Sequence, residues 1–170
     1  MSRRKKVVLG DVFTVPVDAE RYCIGQVVAD YEKSALYLAI YESVCTLGEE
    51  PDVSSVLRGT VSLLALSLDA KIYAGHWVVI GNWPVPSDLP LPAYKESAGD
   101  SSTVVVVDYS GRRRRPARGQ EADWLPFREV VAPVRIEKAL RARQGLEEWN
   151  ESFATLEPTV ATSARLFDSV

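Results

Sequence analysis

The sequence predicts an α+β fold: a strongly bent, mostly antiparallel sheet, barrel-like at its limit, with a C-terminal helix. Three observations carry that expectation. Apolar segments at 12–17, 22–31 and 35–45 are joined by links of a few residues. Links that short suit antiparallel neighbours, because a parallel return needs about a dozen residues. Glycines stand beside or within apolar runs at Gly10, Gly25 and Gly81, where a bulge or a close backbone approach bends a strand. Pro133, Glu137 and Gly145 bracket a helix over 134–144, with Ile136, Ala139 and Leu140 as its apolar stripe.

Taken in order, the run at 6–9 meets a turn at Gly10-Asp11, and Pro16 makes the run at 12–17 short or an edge. Residues 22–31 form a strand around Gly25, residues 32–34 a turn, and 35–45 a full strand. The acidic stretch 47–52 is a loop. Residues 53–68 suit helix or strand about equally, with Gly59-Thr60 opening a strand at Val61. Residues 69–74 make one helical turn, capped by Asp69 and ended by Gly75.

The stretch 76–86 organises the rest. Trp77, Val79 and Trp83 share one strand parity, Val78 and Ile80 the other, and Pro84 ends the ladder. It reads as a central or near-central strand entering a fixed surface loop. Its tryptophans fit core or hinge packing, or a binding anchor where exposed. Prolines at 84, 86, 90 and 92 stiffen the following segment. The valines at 104–107 form an interior strand, 127–132 a last strand, and 146–153 a second helical turn. One globular domain is expected over 1–156, followed by a weakly ordered tail over 157–170 on which Leu166 and Phe167 can dock.

The 170 residues are 46% hydrophobic and 25% charged, enough for a core that needs neither metal nor disulfide. A net charge of -3 neither demands nor excludes a nucleic-acid partner. Cys23 and Cys45 lie in apolar surroundings without a CxxC, and His76 is the single histidine, so no zinc site is expected. The basic start is followed by too few apolar residues for a signal segment, and no stretch is long enough to span a membrane. A cytoplasmic protein with reduced thiols is expected.

Catalytic residues are sparse. Cysteine–histidine chemistry would require Cys23 or Cys45 within about 3 Å of the His76 ring. Glu49, Glu50 and Asp52 read as a solvated loop face. No phosphate-cradling glycine motif occurs. The chain is therefore expected to be no enzyme and to use no cofactor. Its one concentrated charge is Arg112-Arg113-Arg114-Arg115, read as an exposed hairpin or loop with no local acidic pairing. Such a run can contact phosphates or steer a protein partner. Tyr109 is the only nearby stacking platform, so nucleic acid is the second choice. The candidate partner-binding residues are Trp83, Tyr22, Trp124, Arg112, Arg113, Arg114 and Arg115. Trp83 leads them, because a stiff loop loses little entropy on binding.

Gly10-Asp11-Val12-Phe13-Thr14-Val15-Pro16-Val17, then Arg21-Tyr22-Cys23-Ile24-Gly25-Gln26-Val27, resembles the opening of the immunity protein 26 family of bacterial polymorphic toxin systems. The later stretch from Gly75 through Pro86 resembles the same family's second signature. The matched positions are Gly10, Asp11, Phe13, Pro16, Tyr22, Gly25, Trp77, Gly81 and Pro84, and several suit architecture better than chemistry. Growth-inhibiting endoribonucleases of toxin–antitoxin pairs share a similar opening. The resemblance implies a cytoplasmic α+β protein that binds and neutralises a cognate toxin. The alternative is a nucleic-acid-binding regulator that uses the arginine run.

Overall fold

The computed structural model describes residues 6–32, 34–100 and 102–168. The start at 1–5, Lys33 of the expected turn and the last two residues of the expected tail lie outside them. The strands are β1 (Asp11–Pro16), β2 (Arg21–Tyr31), β3 (Ala35–Thr46), β4 (Val61–Ser67), β5 (Val78–Asn82), β6 (Tyr94–Ser97), β7 (Val104–Val107) and β8 (Arg114–Pro116). The helices are α1 (Val53–Leu57), α2 (Ala70–Tyr73), α3 (Glu121–Trp124), α4 (Pro133–Arg143) and α5 (Ser163–Phe167), with a 3-10 segment at Glu151–Leu156. They fall into two compact units, Met1–Ser87 with Val130–Glu157, and Asp88–Glu129 with Pro158–Val170.

The first unit holds a five-stranded antiparallel sheet in the order β4-β3-β2-β1-β5. Alternation explains its core. Phe13 and Val15 of β1, Cys23 and Val27 of β2, Leu38 and Ile40 of β3, and Leu63 and Ala65 of β4 all face one side. There they pack on Ile136, Ala139 and Leu140 of α4 and on Phe153 and Leu156. Each fully buried large side chain contributes about 1.5–3 kcal/mol relative to exposure. The apolar stripe read from 134–144 is thus the lid of this core. Pro133 opens α4 as expected, since a first-turn residue needs no donor.

Bulges interrupt three of the four strand pairs, between Val12 and Phe13, at Cys23/Gly25 and Val27/Ala29, and at Ile40/Tyr41. Each bends its strand. The bend is the expected one, but the sheet is open rather than barrel-like. At Ser67 the β4 edge meets Val131, whose amide donates to Leu66 O (2.9 Å) and whose carbonyl accepts from Ser67 Oγ (2.7 Å). That approach occupies backbone groups that closure onto another strand would need.

Three further expectations are corrected. Strand β5 is an edge strand, paired only with β1 among the described residues, and not central. Pro84 and Pro86 follow it immediately and cannot extend the ladder. Residues 127–132 form no strand. They make single bridges, Lys95 with Phe127 and Ser67 with Val131. Helix α2 does form after Asp69, but that side chain makes no capping bond. The ambiguous stretch divides into α1, whose Asp52 carboxylate accepts from Ser55 N (3.1 Å), and β4 beginning at Val61.

The second unit has an antiparallel sheet in the order β6-β7-β8. The four valines make its middle strand, with Val106 and Val107 buried. Ala93, Val106, Leu125 and Ala161 form a small core, against which Leu166 and Phe167 of α5 pack. Ser163 ties the start of α5 in place. Its Oγ donates to Pro92 O (2.7 Å) and accepts from Tyr109 N (2.8 Å).

Candidate functional site

The Gly10-Asp11 turn and the residues after β5 form one hydrogen-bonded lock. Gly10 has φ +87°, and a Cβ there would lie 2.7 Å from the Trp83 carbonyl oxygen, so only glycine fits. The buried Asp11 carboxylate accepts from Val8 N (3.0 Å) and from Asn82 Nδ2 (2.9 Å). Asn82 Nδ2 also donates to Leu9 O at 2.9 Å. Trp83 N donates to Gly10 O at 3.0 Å. Gln26, with 0% exposure, donates from Nε2 to Trp83 O (3.0 Å) and reaches Pro84 O (3.4 Å) and Gly10 O (3.5 Å). Its Oε1 accepts from Tyr41 Oη at 3.4 Å. Trp83 is therefore fixed through both its amide and its carbonyl. Its ring folds back over Gly81, where a Cβ would come within 2.5 Å of Cζ3.

A second group of motif residues supports the sheet from the core side. Phe13 and Trp77 stack with centroids 5.4 Å apart and planes 2° from parallel. The Phe13 ring crosses Gly25, where a Cβ would sit 2.5 Å from the ring and 2.8 Å from Ile40 Cδ1. Trp77 Nε1 donates to Glu137 Oε1 (2.8 Å) on α4, and Lys71 Nζ pairs with Glu137 Oε2 (3.1 Å). Pro16 ends β1 opposite Tyr22. These positions build the platform that carries Trp83.

The bulge in the β1–β5 pair decides which way Trp83 faces. Phe13 pairs with Val79, but Val12 pairs with Gly81, so Ile80 is the extra residue. One inserted residue exchanges the faces beyond it. Trp77 and Val79 stay with the core, whereas Gly81 and Trp83 move to the opposite face. The shared parity of Trp77 and Trp83 in the sequence therefore does not translate into a shared environment. On that opposite face a groove of about 340 Å³ is lined by Thr14, Tyr22, Ile80, Trp83, Glu50 and Asp52, together with Pro51, Val53 and Ser54. Two candidate residues far apart in sequence, Tyr22 and Trp83, thus meet in one groove. Ile80 is 39% exposed and Val78, on the same edge strand, 54%, an unusual apolar display for a sheet margin.

Burial pushes the Tyr22 phenol above its ordinary range, and the neighbouring Cys45 and Glu49 push it further. Cys45 is also raised by burial, against the opposing effect of its hydrogen bond with Tyr22. Asp52 has one carboxylate oxygen engaged in capping α1. Glu50 is exposed and makes no hydrogen bond or ion pair among the described residues. Nothing in the sequence alone marks Ile80, Thr14 or the two carboxylates as partner-binding. The acidic loop was visible there, but nothing local shows that it folds beside Tyr22.

The arginine run lies in the second unit on the hairpin between β7 and β8, exposed at Arg112, Arg113 and Arg114 as expected, but it is not unpaired. Arg115 forms a two-bond ion pair with Glu121, Nη1 to Oε2 at 2.7 Å and Nη2 to Oε1 at 2.8 Å, both side chains largely buried. Arg115 hydrogen-bonding holds the Glu121 carboxyl below its ordinary value. Arg114 pairs with Glu96 at 2.8 Å. Arg113 pairs with Asp108 and Asp168, and both Arg113 and Arg115 lie over the Phe167 ring. Burial pushes the Asp108 carboxyl up, but bonds from the Arg113 amide and guanidinium, Ser110 and the Arg112 amide bring it below its ordinary value. Asp108 and Glu121 are near neighbours in sequence, whereas Glu96 and Asp168 come from farther along the chain. Arg112 alone of the four has no side-chain partner among the described residues. Trp124, at the end of α3, is exposed in the same unit.

Neither thiol is in a disulfide. Burial pushes Cys23 up to about 12, which leaves it protonated and unreactive at neutral pH. Among the described residues, no group of His, Cys, Asp and Glu is placed to hold a metal, and no helix is long and apolar enough to cross a membrane.

Residues 8–104, more than half of the chain, match the family model described as Immunity protein 26. The match contains the Gly10–Trp83 lock and every residue lining the groove, and it stops before the arginine run and Trp124. No curated protein and no solved structure matches the chain.

Proposed function

We propose that this chain, which belongs to the immunity protein 26 family, binds and neutralises a cognate toxin, using the groove of Trp83 and Tyr22 as the centre of the contact. The observation that carries the reading is the lock on Trp83. Its amide and carbonyl are both bonded to the turn and to buried Gln26, and its ring rests on Gly81. A large aromatic held this way gives up little conformational freedom on association, and such residues dominate interface energetics. Exposed Ile80 and Val78 extend the apolar area beside it. A stable complex buries about 1,200–2,000 Å² in total, so the groove is the anchor of a wider surface.

Neutralisation by binding needs no chemistry from this chain. Cys23 is buried and protonated, and the groove holds no cysteine–histidine pair. We place the protein in the cytoplasm, where a toxin would meet its target and where free thiols persist. The test is co-expression with the toxin encoded by the adjacent gene. Growth restored by this chain is the expected result. Continued killing, with the chain present in soluble form at an equal or greater level, overturns the reading.

A further inference from the structure

We infer that the groove receives a basic side chain, best satisfied by an arginine guanidinium, from a positively charged face of the toxin. The inference rests on the reading of this groove as the toxin contact and adds the chemistry of the partner.

The groove offers three things that a guanidinium uses together. Trp83 supplies an aromatic body held in one orientation, and a cation over a tryptophan face is the strongest of the cation–aromatic pairings. Glu50 supplies a carboxylate with no partner among the described residues, and Asp52 a second with one oxygen engaged at Ser55 N. A planar fork of N–H donors matches a carboxylate better than a point charge does. Ile80 and Thr14 line the same groove and offer apolar surface to the aliphatic part of an incoming side chain.

Charge complementarity selects the occupant. No lysine, arginine or histidine lines the groove, so its two acidic residues have no cationic neighbour among the lining residues. The nearby Arg21 is committed to Asp18 at 2.7 Å. An acidic partner would place like charges together in a partly desolvated site, which costs several kcal/mol. A neutral apolar partner would bury the Glu50 carboxylate unpaired and Asp52 with only its bond from Ser55 N, with a comparable penalty. Only a cation relieves both. The chain as a whole is acidic, with net charge -3, which favours steered encounter with a basic surface.

The experiment measures association kinetics between the purified chain and the adjacent-gene toxin at salt from about 0.05 to 0.5 M, for wild type, Glu50→Gln and Glu50→Arg. Glu50 lies on an exposed loop, so both variants should melt as wild type does. Expected is a wild-type association rate that falls at least about tenfold across that salt range. Glu50→Arg should associate at least about tenfold more slowly near 0.15 M salt, with Glu50→Gln in between. An arginine-to-glutamate change on the toxin that restores binding to Glu50→Arg would identify the occupant. A complex that forms with wild type but is indifferent to salt, and is matched or exceeded by Glu50→Arg, overturns this inference and leaves toxin binding intact. Absence of any wild-type complex overturns the functional reading, and this inference with it.

Discussion

Replacing Trp77 probes the platform on which the groove stands. The indole is 1% exposed, stacks on Phe13 and donates to Glu137 at 2.8 Å. Truncating a buried tryptophan to alanine costs about 3–5 kcal/mol in lost transfer energy plus the cavity left behind. Two features put Trp77→Ala in the upper half of that range. The stacked pair carries about 0.5–1.5 kcal/mol beyond its buried area. The bond to Glu137 adds about 1 kcal/mol, kept modest because Glu137 retains its ion pair with Lys71 and some contact with water. The expected loss is about 4–5 kcal/mol for Trp77→Ala. For Trp77→Phe, which keeps a ring but loses the N–H, it is about 1.5–2.5 kcal/mol. Urea denaturation followed by far-ultraviolet circular dichroism measures both, with no dependence on the fluorescence of the residue removed. A loss below about 1 kcal/mol for Trp77→Ala would show that this residue is not part of a close-packed core, and would refute the account of how β5 is seated.

Other substitutions test separate elements. Gly25→Ala should cost about 1–3 kcal/mol by chemical denaturation, because the new Cβ meets the Phe13 ring and Ile40 Cδ1 at 2.5 and 2.8 Å. Arg115→Ala should destabilise by about 2 kcal/mol, since it strands the largely buried Glu121, and the melting temperature reads that loss. In a gel-shift assay near 0.15 M salt the intact chain should show no sub-micromolar retention of RNA or DNA. Tight binding abolished by Arg112→Ala would restore the nucleic-acid alternative. Alkaline stability provides a fourth test. Cys23 has an ordinary value of 9.0 and is raised to about 12 in the fold, so between those values the unfolded chain loses the proton first. Stability from this group therefore falls as pH rises through that window, by up to about 1.4 kcal/mol per unit. Cys23→Ala should flatten the fall relative to wild type, and an unchanged slope would contradict the assignment.

Strand positions were legible because they depend on local patterning. The runs around Gly25, after Ser34 and from Val61 form β2, β3 and β4, and the helix bracketed by Pro133 and Gly145 forms α4. Gly25 was readable as a bulge or close-approach glycine and is both, since a Phe13 ring crosses it. What escaped depends on partners distant in the chain. The parity of Trp83 is reversed by a single bulged residue opposite Val12 and Phe13, which no count along β5 alone can locate. Arg114 and Arg113 reach Glu96 and Asp168 far along the chain, while the pairing with nearby Asp108 and Glu121 depends on the geometry of the hairpin and of α3 rather than on distance. The stiffness of its flanks marks Trp83 as a candidate anchor in the sequence. Gln26, which fixes it, looked like an ordinary polar residue in a strand until the sheet placed it beneath the loop.

The central claim is that Trp83 anchors a toxin. It is tested most directly by the dissociation constant for the adjacent-gene toxin, measured by calorimetry for wild type and Trp83→Ala. The backbone bonds that hold residue 83 do not involve its side chain, so the variant should keep the wild-type circular dichroism spectrum and melt cooperatively. The account predicts a stable wild-type complex and binding at least about tenfold weaker for the variant, a difference of about 1.4 kcal/mol. Equal affinity for the two proteins would contradict it, and would move the anchor away from the groove.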